Sequence, residues 1–170
     1  HQMIKKEIFT IPGSKGRNML MDLTYNDDDP KAPMVIFAHG FKGFKDLGTH
    51  NMGAHYCAEN GFRFLKFKGA HNGTTRTSPT ELTDLIAFSE NTFSMELDDL
   101  DAVISFACNG AAIPAANGVN LIGHSMGGGI CIIKTADDKR VNKLVSMASL
   151  ADFRNLWQKD AEAHWRVQGT

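Results

Sequence analysis

A serine flanked by glycines gives this sequence its clearest chemical signal. Ser125 lies in the run Gly123-His124-Ser125-Met126-Gly127, an apolar strand-like stretch precedes it, and a glycine-rich stretch typical of a helix start follows it. In a sharp strand-to-helix turn a serine hydroxyl is held outward, and the positions two before and two after it crowd together and must be small. The first amides of the helix would then face the serine and favour negative charge on a reacting oxygen. The spacing therefore predicts a nucleophilic serine.

Composition and charge exclude several classes of protein. The 170 residues are 42% hydrophobic and 22% charged, which suits one globular domain with a buried core. A net charge of -1 gives no reason to expect nucleic acid or an acidic membrane surface as a partner. No apolar run has the length of a membrane span, and the N-terminus has no signal-peptide pattern. Nothing in the sequence calls for a metal or a cofactor.

The cysteines bear on the cellular compartment. Cys57, Cys108 and Cys131 are odd in number, and each falls in a predicted helix. Buried free thiols are expected rather than a disulfide framework. We therefore predict a cytoplasmic protein.

The elements that must position Ser125 alternate between strand and helix. Apolar alternation and short apolar runs predict strands over residues 5–11, 19–25, 34–38, 62–67, 119–122 and 141–146. Helices are predicted over about 49–60, with Gly61 as the stop, and from Ser125 to about 137–138. This order predicts an α/β fold, a mostly parallel sheet with helices on its faces.

The connection before the Ser125 strand is predicted to hold two separate helices. A short one begins near Ser78, which has the residue types of an N-cap, and a stronger one runs over about 93–109. The stronger helix carries four acidic residues near its start: Glu96, Asp98, Asp99 and Asp101. We interpret these residues as a solvated helix face rather than a metal site. The polar loop 26–30 is likewise interpreted as a solvated turn rather than a metal site.

Two motifs at this spacing resemble those of the α/β-hydrolase superfamily. The His-Gly-Phe run at residues 39–41, after the third strand, resembles the family's oxyanion loop, and residues 123–128 resemble its nucleophile elbow. The lysine after His-Gly-Phe, the asparagine-glycine pair near His71 and the triple glycine most resemble small bacterial esterases of the dienelactone-hydrolase or feruloyl-esterase type. The resemblance covers essentially the whole chain.

The resemblance implies a serine hydrolase that acts on small carboxylic esters through an acyl-enzyme. Ser125 would be the nucleophile, and the backbone N–H groups of Phe41 and Met126 would form the oxyanion hole. His39 would brace the oxyanion loop, and His124 would pack or hydrogen-bond beside the nucleophile. No cofactor or metal is implied.

The chain departs from the family pattern at its C-terminal end. The family places the acid and the histidine after strands that follow the sixth, and this sequence ends soon after its sixth strand. We interpret residues 1–152 as the N-terminal part of a hydrolase core and 153–170 as the start of a cap or of the helix before the missing strands. A sheet cut there would expose an edge, so self-association, or dependence on a missing C-terminal half, is expected.

Three residues could replace the missing acid and histidine. Asp152 follows the sixth strand, although the N-cap of the next helix is the simpler interpretation. His71 and His164 could approach Ser125 but are better explained as surface histidines.

Alternatives to the ester hydrolase stay open at this point. The absent acid and base also fit a non-catalytic α/β binding domain or a decayed enzyme. The same machinery serves peptidases and acyltransferases.

Overall fold

The computed structural model describes residues 3–38, 48–70, 82–124 and 126–147. In these segments the strands are β1 Ile4–Pro12, β2 Asn18–Asn26, β3 Met34–Ala38, β4 Arg63–Lys68, β5 Val119–His124 and β6 Val141–Met147. The helices are α1 Gly48–Glu59, α2 Leu82–Cys108 and α3 Met126–Asp137, and a short 3₁₀ turn lies at Ser14–Gly16. Every predicted strand is confirmed, with ends that agree closely.

The described strands form one sheet in the order β1-β2-β4-β3-β5-β6. The hairpin β1–β2 is antiparallel and joins β4 in antiparallel fashion, whereas β4, β3, β5 and β6 run parallel to one another. The prediction of an α/β fold with a mostly parallel sheet is confirmed.

Helices cover both faces of this sheet. The face under α2 and α3 is built from alternate strand residues, including Ile36, Leu65 and Leu121, which pack with Leu100, Ile104 and Ile130 of the helices. The other face packs on α1 through Val35, Phe37, Phe64 and Ile122. All five residues of β3 are buried, as expected for a central strand of a parallel sheet.

Helix α1 ends as its sequence predicts. Gly61 has a φ of +85°, a conformation that a residue with a side chain adopts only under strain. The amide of Phe62 donates to the carbonyl of Cys57 at 3.0 Å, and the amide of Gly61 donates to that of Ala58 at 3.4 Å. These two bonds satisfy the last carbonyls of the helix and turn the chain into β4.

Helix α2 corrects the prediction of two separate helices. It runs unbroken from Leu82 to Cys108. Its middle contains polar residues such as Ser89, Asn91 and Thr92, which are weaker helix formers, but neither proline nor glycine occurs anywhere in it. Such residues lower helix propensity without interrupting the hydrogen-bond ladder. The predicted start near Ser78 lies outside the described residues.

The acidic residues of α2 do not form one solvated face. Asp98 is exposed, but Asp99 is only 2% exposed. Asp101 pairs with Lys134 of α3 at 2.7 Å and with Arg140, just before β6, at 2.8 Å. The prediction of a solvated face is therefore wrong for Asp99.

The polar loop is a solvated turn as predicted, and two of the three cysteines are buried as predicted. Residues 27–30 are exposed and form a turn, in which the Asn26 side chain accepts the amide of Asp28 at 2.9 Å. Cys57 and Cys131 are buried and Cys108 is half-buried, each on a different helix, and all three are free thiols. Within the described segments, no helix has both the length and the apolar character needed to cross a membrane.

Candidate active site

The segments that carry the predicted site leave the sheet side by side. Ala38, the last residue of β3, pairs with Gly123 of β5, and Gly123 pairs in turn with Ser146 of β6. Neighbouring strands lie about 4.8 Å apart. We call the edge where the parallel strands end the carboxyl edge. The chain leading to residues 39–41 and the chain leading to Ser125 both start from it.

The carboxyl edge between β3 and β5 is a switch point of the sheet. From β3 the chain passes through α1 to β4 on one side, and it then returns through α2 to β5 on the other side of β3. In open α/β sheets, ligands bind outside the carboxyl ends of the strands at such a point, because the two connections diverge and leave a crevice. The topology thus provides a location for a ligand between the exits of β3 and β5.

The strand and the helix predicted on either side of Ser125 are both present. β5 ends at His124, and α3 begins at Met126. Ser125 itself lies outside the described residues. The N-terminal end of a helix carries unpaired amides and a partial positive charge, and α3 begins with that end at the carboxyl edge.

The other predicted site residues are placed only in part. Phe41 and His39 lie outside the described residues, as do His71, Asp152 and His164. His124 belongs to β5 through its pairing with Met147. Met126, the proposed second oxyanion donor, is the first residue of α3. The roles of these residues, and the division at 152/153, remain predictions.

The sheet beneath this edge is tightly packed. Phe37 and Ile122, one residue before Ala38 and Gly123, are both buried. The rings of Phe37 and Phe64 stack with their centroids 5.9 Å apart. Rigid packing of this kind holds the ends of β3 and β5 in fixed relative positions.

Among the nucleophilic side chains that the structure describes, Cys131 lies nearest to Ser125 along the chain. It lies in α3 and is fully buried, and burial raises the pKa of its thiol to about 12. The thiolate is the reactive form of cysteine, so this thiol is inert at neutral pH. Cys131 therefore fills space in the core beneath α3.

Sequence reasoning missed one buried carboxylate at the carboxyl edge. Asp99 of α2 accepts the amide of Ser14 at 2.7 Å through Oδ1 and the amide of Ala70 at 3.0 Å through Oδ2. Both donors are backbone groups far away along the chain, and no local pattern reveals them. A signal was present nevertheless. Asp99 stands four residues after Met95 and four before Val103, both buried, so it interrupts the apolar stripe of α2.

Comparison with known families gives a match over most of the chain. The family model described as "alpha/beta hydrolase fold" matches residues 33–168. That range includes β3 to β6, all three helices and Ser125.

Individual relatives are more distant. The chain is 28% identical over 120 residues to the quorum-quenching protein AidA of Acinetobacter baumannii (strain MDR-ZJ06), a match that spans 71% of this chain and 36% of that protein. A cold-adapted esterase from an Arctic intertidal metagenomic library superimposes with a TM-score of 0.66 at 16% identity, over 91% of this chain and 66% of the esterase. A protein assigned as a dienelactone hydrolase from Klebsiella pneumoniae subsp. pneumoniae MGH 78578 gives 0.63 at 19% identity, over 84% and 58% of the two chains. The chain thus spans about a third to two thirds of the length of these proteins.

Proposed function

The chain belongs to the α/β-hydrolase fold family, and from that premise we propose that it is a serine hydrolase of carboxylic esters that works through an acyl-enzyme on Ser125. The observation that carries the proposal is the pairing of Ala38 with Gly123. Because of this pairing, the His-Gly-Phe segment and the Ser125 segment follow neighbouring strands at the switch point. An acyl carbonyl bound there would lie between a nucleophile and amides from two separate parts of the chain.

The proposed reaction has two steps. The Ser125 hydroxyl attacks the carbonyl carbon of the ester, its proton passes to a general base, and negative charge develops on the carbonyl oxygen. The amides of Phe41 and Met126 stabilise that charge, each by roughly 3 kcal/mol in the transition state. The alcohol then leaves with a proton, and water releases the acid from Ser125. We assign neither the general base nor its orienting acid to a described residue.

The environment of α3 supports the assignment of Met126. A helix begins at this residue, and the first amides of a helix have no partner within it. Such amides bind negatively charged oxygens without reorganisation, which is the property that an oxyanion hole requires.

The substrate and the compartment extend the same proposal. A small-molecule ester fits both the resemblance to bacterial esterases and the superposition on an esterase structure. A cytoplasmic location fits the three free thiols.

Covalent labelling tests the proposal. The chain is incubated with a fluorophosphonate probe, which reacts with activated serines, and the bound label is measured against Ser125→Ala. Ser94→Ala is the matched control, because Ser94 is an exposed serine on α2. We expect Ser125→Ala to abolish labelling and Ser94→Ala to leave it unchanged. Labelling that persists in Ser125→Ala would contradict the proposal. So would a lack of labelling in both this chain and any longer product of the same gene.

A further inference from the structure

One buried carboxylate joins three segments of the chain at the carboxyl edge. Asp99 belongs to α2, Ser14 to the turn between β1 and β2, and Ala70 to the chain leaving β4. Each oxygen of the Asp99 carboxylate accepts one backbone amide, so neither amide is left unpaired in a buried place. The carboxylate therefore fixes both segments to α2.

Two glycines lie close to this carboxylate. A Cβ atom on Gly13 would lie 2.8 Å from Oδ1 of Asp99 and 2.9 Å from Cβ of Ala70. One on Gly69 would lie 3.3 Å from Oδ2 of Asp99. Glycine at these two positions lets the turn and the end of β4 approach the carboxylate closely.

The joined segments lie next to the candidate site. β4 is the neighbour of β3, and Lys66 of β4 pairs with Phe37 of β3. Gly69 and Ala70 thus leave the sheet beside the chain that leaves β3 after Ala38. The turn between β1 and β2 lies at the same edge, because β2 is antiparallel to β4 and Leu20 pairs with Lys68.

We propose that Asp99 is a positioning residue for the reaction at Ser125, a role that rests on the function proposed above. Its carboxylate holds the exit of β4 in place beside the exit of β3, and through that exit it fixes the side of the crevice where the His-Gly-Phe segment begins. Asp99 touches no reacting atom. It acts through Ala70 and through the strand next to it.

The central variant is Asp99→Asn, which keeps the shape of the side chain. One oxygen still accepts an amide, but the new NH₂ group faces the other amide and cannot accept from it. One of the two segments is released, so catalytic geometry should suffer even where the protein remains folded. A misplacement of about 1 Å can slow an enzymatic reaction up to roughly a hundredfold.

The experiment measures how fast the fluorophosphonate probe labels Ser125 over a range of probe concentrations, which separates probe binding from the maximal rate. Hydrogen exchange of the Ser14 and Ala70 amides is followed in the same samples. The matched control is Asp101→Asn, because Asp101 is on the same helix but pairs with Lys134 and Arg140. For Asp99→Asn we expect the maximal rate to fall about tenfold or more, and at least one of the two amides to exchange faster. Asp101→Asn should keep the rate within about twofold even if its melting temperature falls.

A second variant covers the case in which Asp99→Asn fails to fold. Gly69→Ala keeps the carboxylate and pushes the chain away from Oδ2 by a few tenths of an ångström, so a smaller fall in the maximal rate is expected. If Asp99→Asn labels at the wild-type maximal rate although one of the two amides exchanges faster, Asp99 has only a structural role. If only Gly69→Ala folds, a wild-type maximal rate in that variant leads to the same conclusion. A lack of labelling at Ser125 in the wild-type chain and in any longer product of the same gene would overturn the proposed function and this role together.

Discussion

Gly118 shows how much a single side-chain atom matters where the chain enters β5. Its φ is +84°, and a Cβ there would lie 2.6 Å from Nδ2 of Asn142 and 3.0 Å from the carbonyl oxygen of Arg140. The amide of Val119 donates to that same carbonyl at 2.8 Å. A methyl group would push on the hydrogen bond that pairs the starts of β5 and β6.

The corresponding prediction compares two glycines with the same backbone strain. Gly16 has a φ of +73° and open space around its Cβ position, so Gly16→Ala should cost only the strain of a positive φ, about 1–2 kcal/mol. Gly118→Ala adds steric overlap with the backbone and should cost about 1–3 kcal/mol more. Urea unfolding of both variants measures the difference. Equal losses in the free energy of unfolding would show that the start of β6 moves to accommodate the methyl group at little cost.

At the residue scale, local chemistry could be predicted from the sequence and distant contacts could not. The Ser125 motif occupies five consecutive residues, so its pattern is visible without any fold. Asp99 instead has partners 85 and 29 residues away. Only the assembled sheet brings those amides to the carboxylate, and the sequence offers just the weak sign of a polar residue on an apolar stripe.

Helix α2 connects the two edges of the sheet. Near its middle Asp99 meets the carboxyl edge, and near its end the carbonyl of Ala107 accepts the amide of Ala116 at 2.8 Å in the segment that leads to β5. Its core contacts come from Leu100, Val103, Ile104 and Ala107, with the half-buried Leu97 packed beside them, at the spacing of one helix face. Burial of this stripe supplies the stabilising energy of the element.

A pair of alanine substitutions on α2 tests this. Ile104 is fully buried, so Ile104→Ala should lower the free energy of unfolding by about 2–5 kcal/mol. Asp98 is exposed on the same helix, and Asp98→Ala should change it by no more than about 0.5 kcal/mol. Calorimetry on both variants gives the comparison. A loss below about 1 kcal/mol in Ile104→Ala would mean that α2 packs loosely on the sheet.

The elements were predictable because hydrophobic periodicity is a local property of the chain. The alternation of Met19, Met21, Leu23 and Tyr25 predicts one face of β2. The first three are buried, and Tyr25 is half-buried. The error in α2 has a physical cause as well. A polar stretch in the middle of a helix resembles a connection, but without proline or glycine nothing interrupts the backbone hydrogen bonds.

For the molecule as a whole, an ion-pair network at the edge opposite the site joins α2, α3 and the turn that leads from α3 into β6. Arg140 donates to Asp138 at 2.6 Å and to Asp101 at 2.8 Å, and Lys134 pairs with both carboxylates. Hydrogen bonds from Arg140 hold the pKa of Asp138 well below its usual range, and the hydrogen bond from Lys134 lowers the pKa of Asp101. The two helices and this turn are thus joined by charge.

These lowered pKa values fix how stability should depend on pH. A carboxylate whose pKa is lower in the folded state stabilises the fold above its unfolded pKa of about 3.9, and this contribution is lost as pH falls toward the folded pKa. Asp138→Asn should therefore lower the melting temperature at pH 7, and the difference from wild type should shrink below about pH 4. The exposed Asp98→Asn serves as the control for the loss of one surface carboxylate. A constant difference down to pH 2 would show that Asp138 acts without its charge.

The mostly parallel sheet could be anticipated from the order of the elements, because strands that alternate with helices form parallel units. The general base could not be located in this way. Its candidates, His71 and His164, lie outside the described residues, and the meeting of a histidine with Ser125 depends on tertiary contacts rather than on periodicity.

The most direct measurement is of the acyl-enzyme itself. The chain is exposed briefly to p-nitrophenyl acetate, quenched with acid, digested and mapped by mass spectrometry, with Ser125→Ala processed in parallel. We expect an acetyl group on the peptide that contains Ser125 and none on that peptide in the variant. Acetylation confined to lysines, in this chain and in any longer product of its gene, would contradict it.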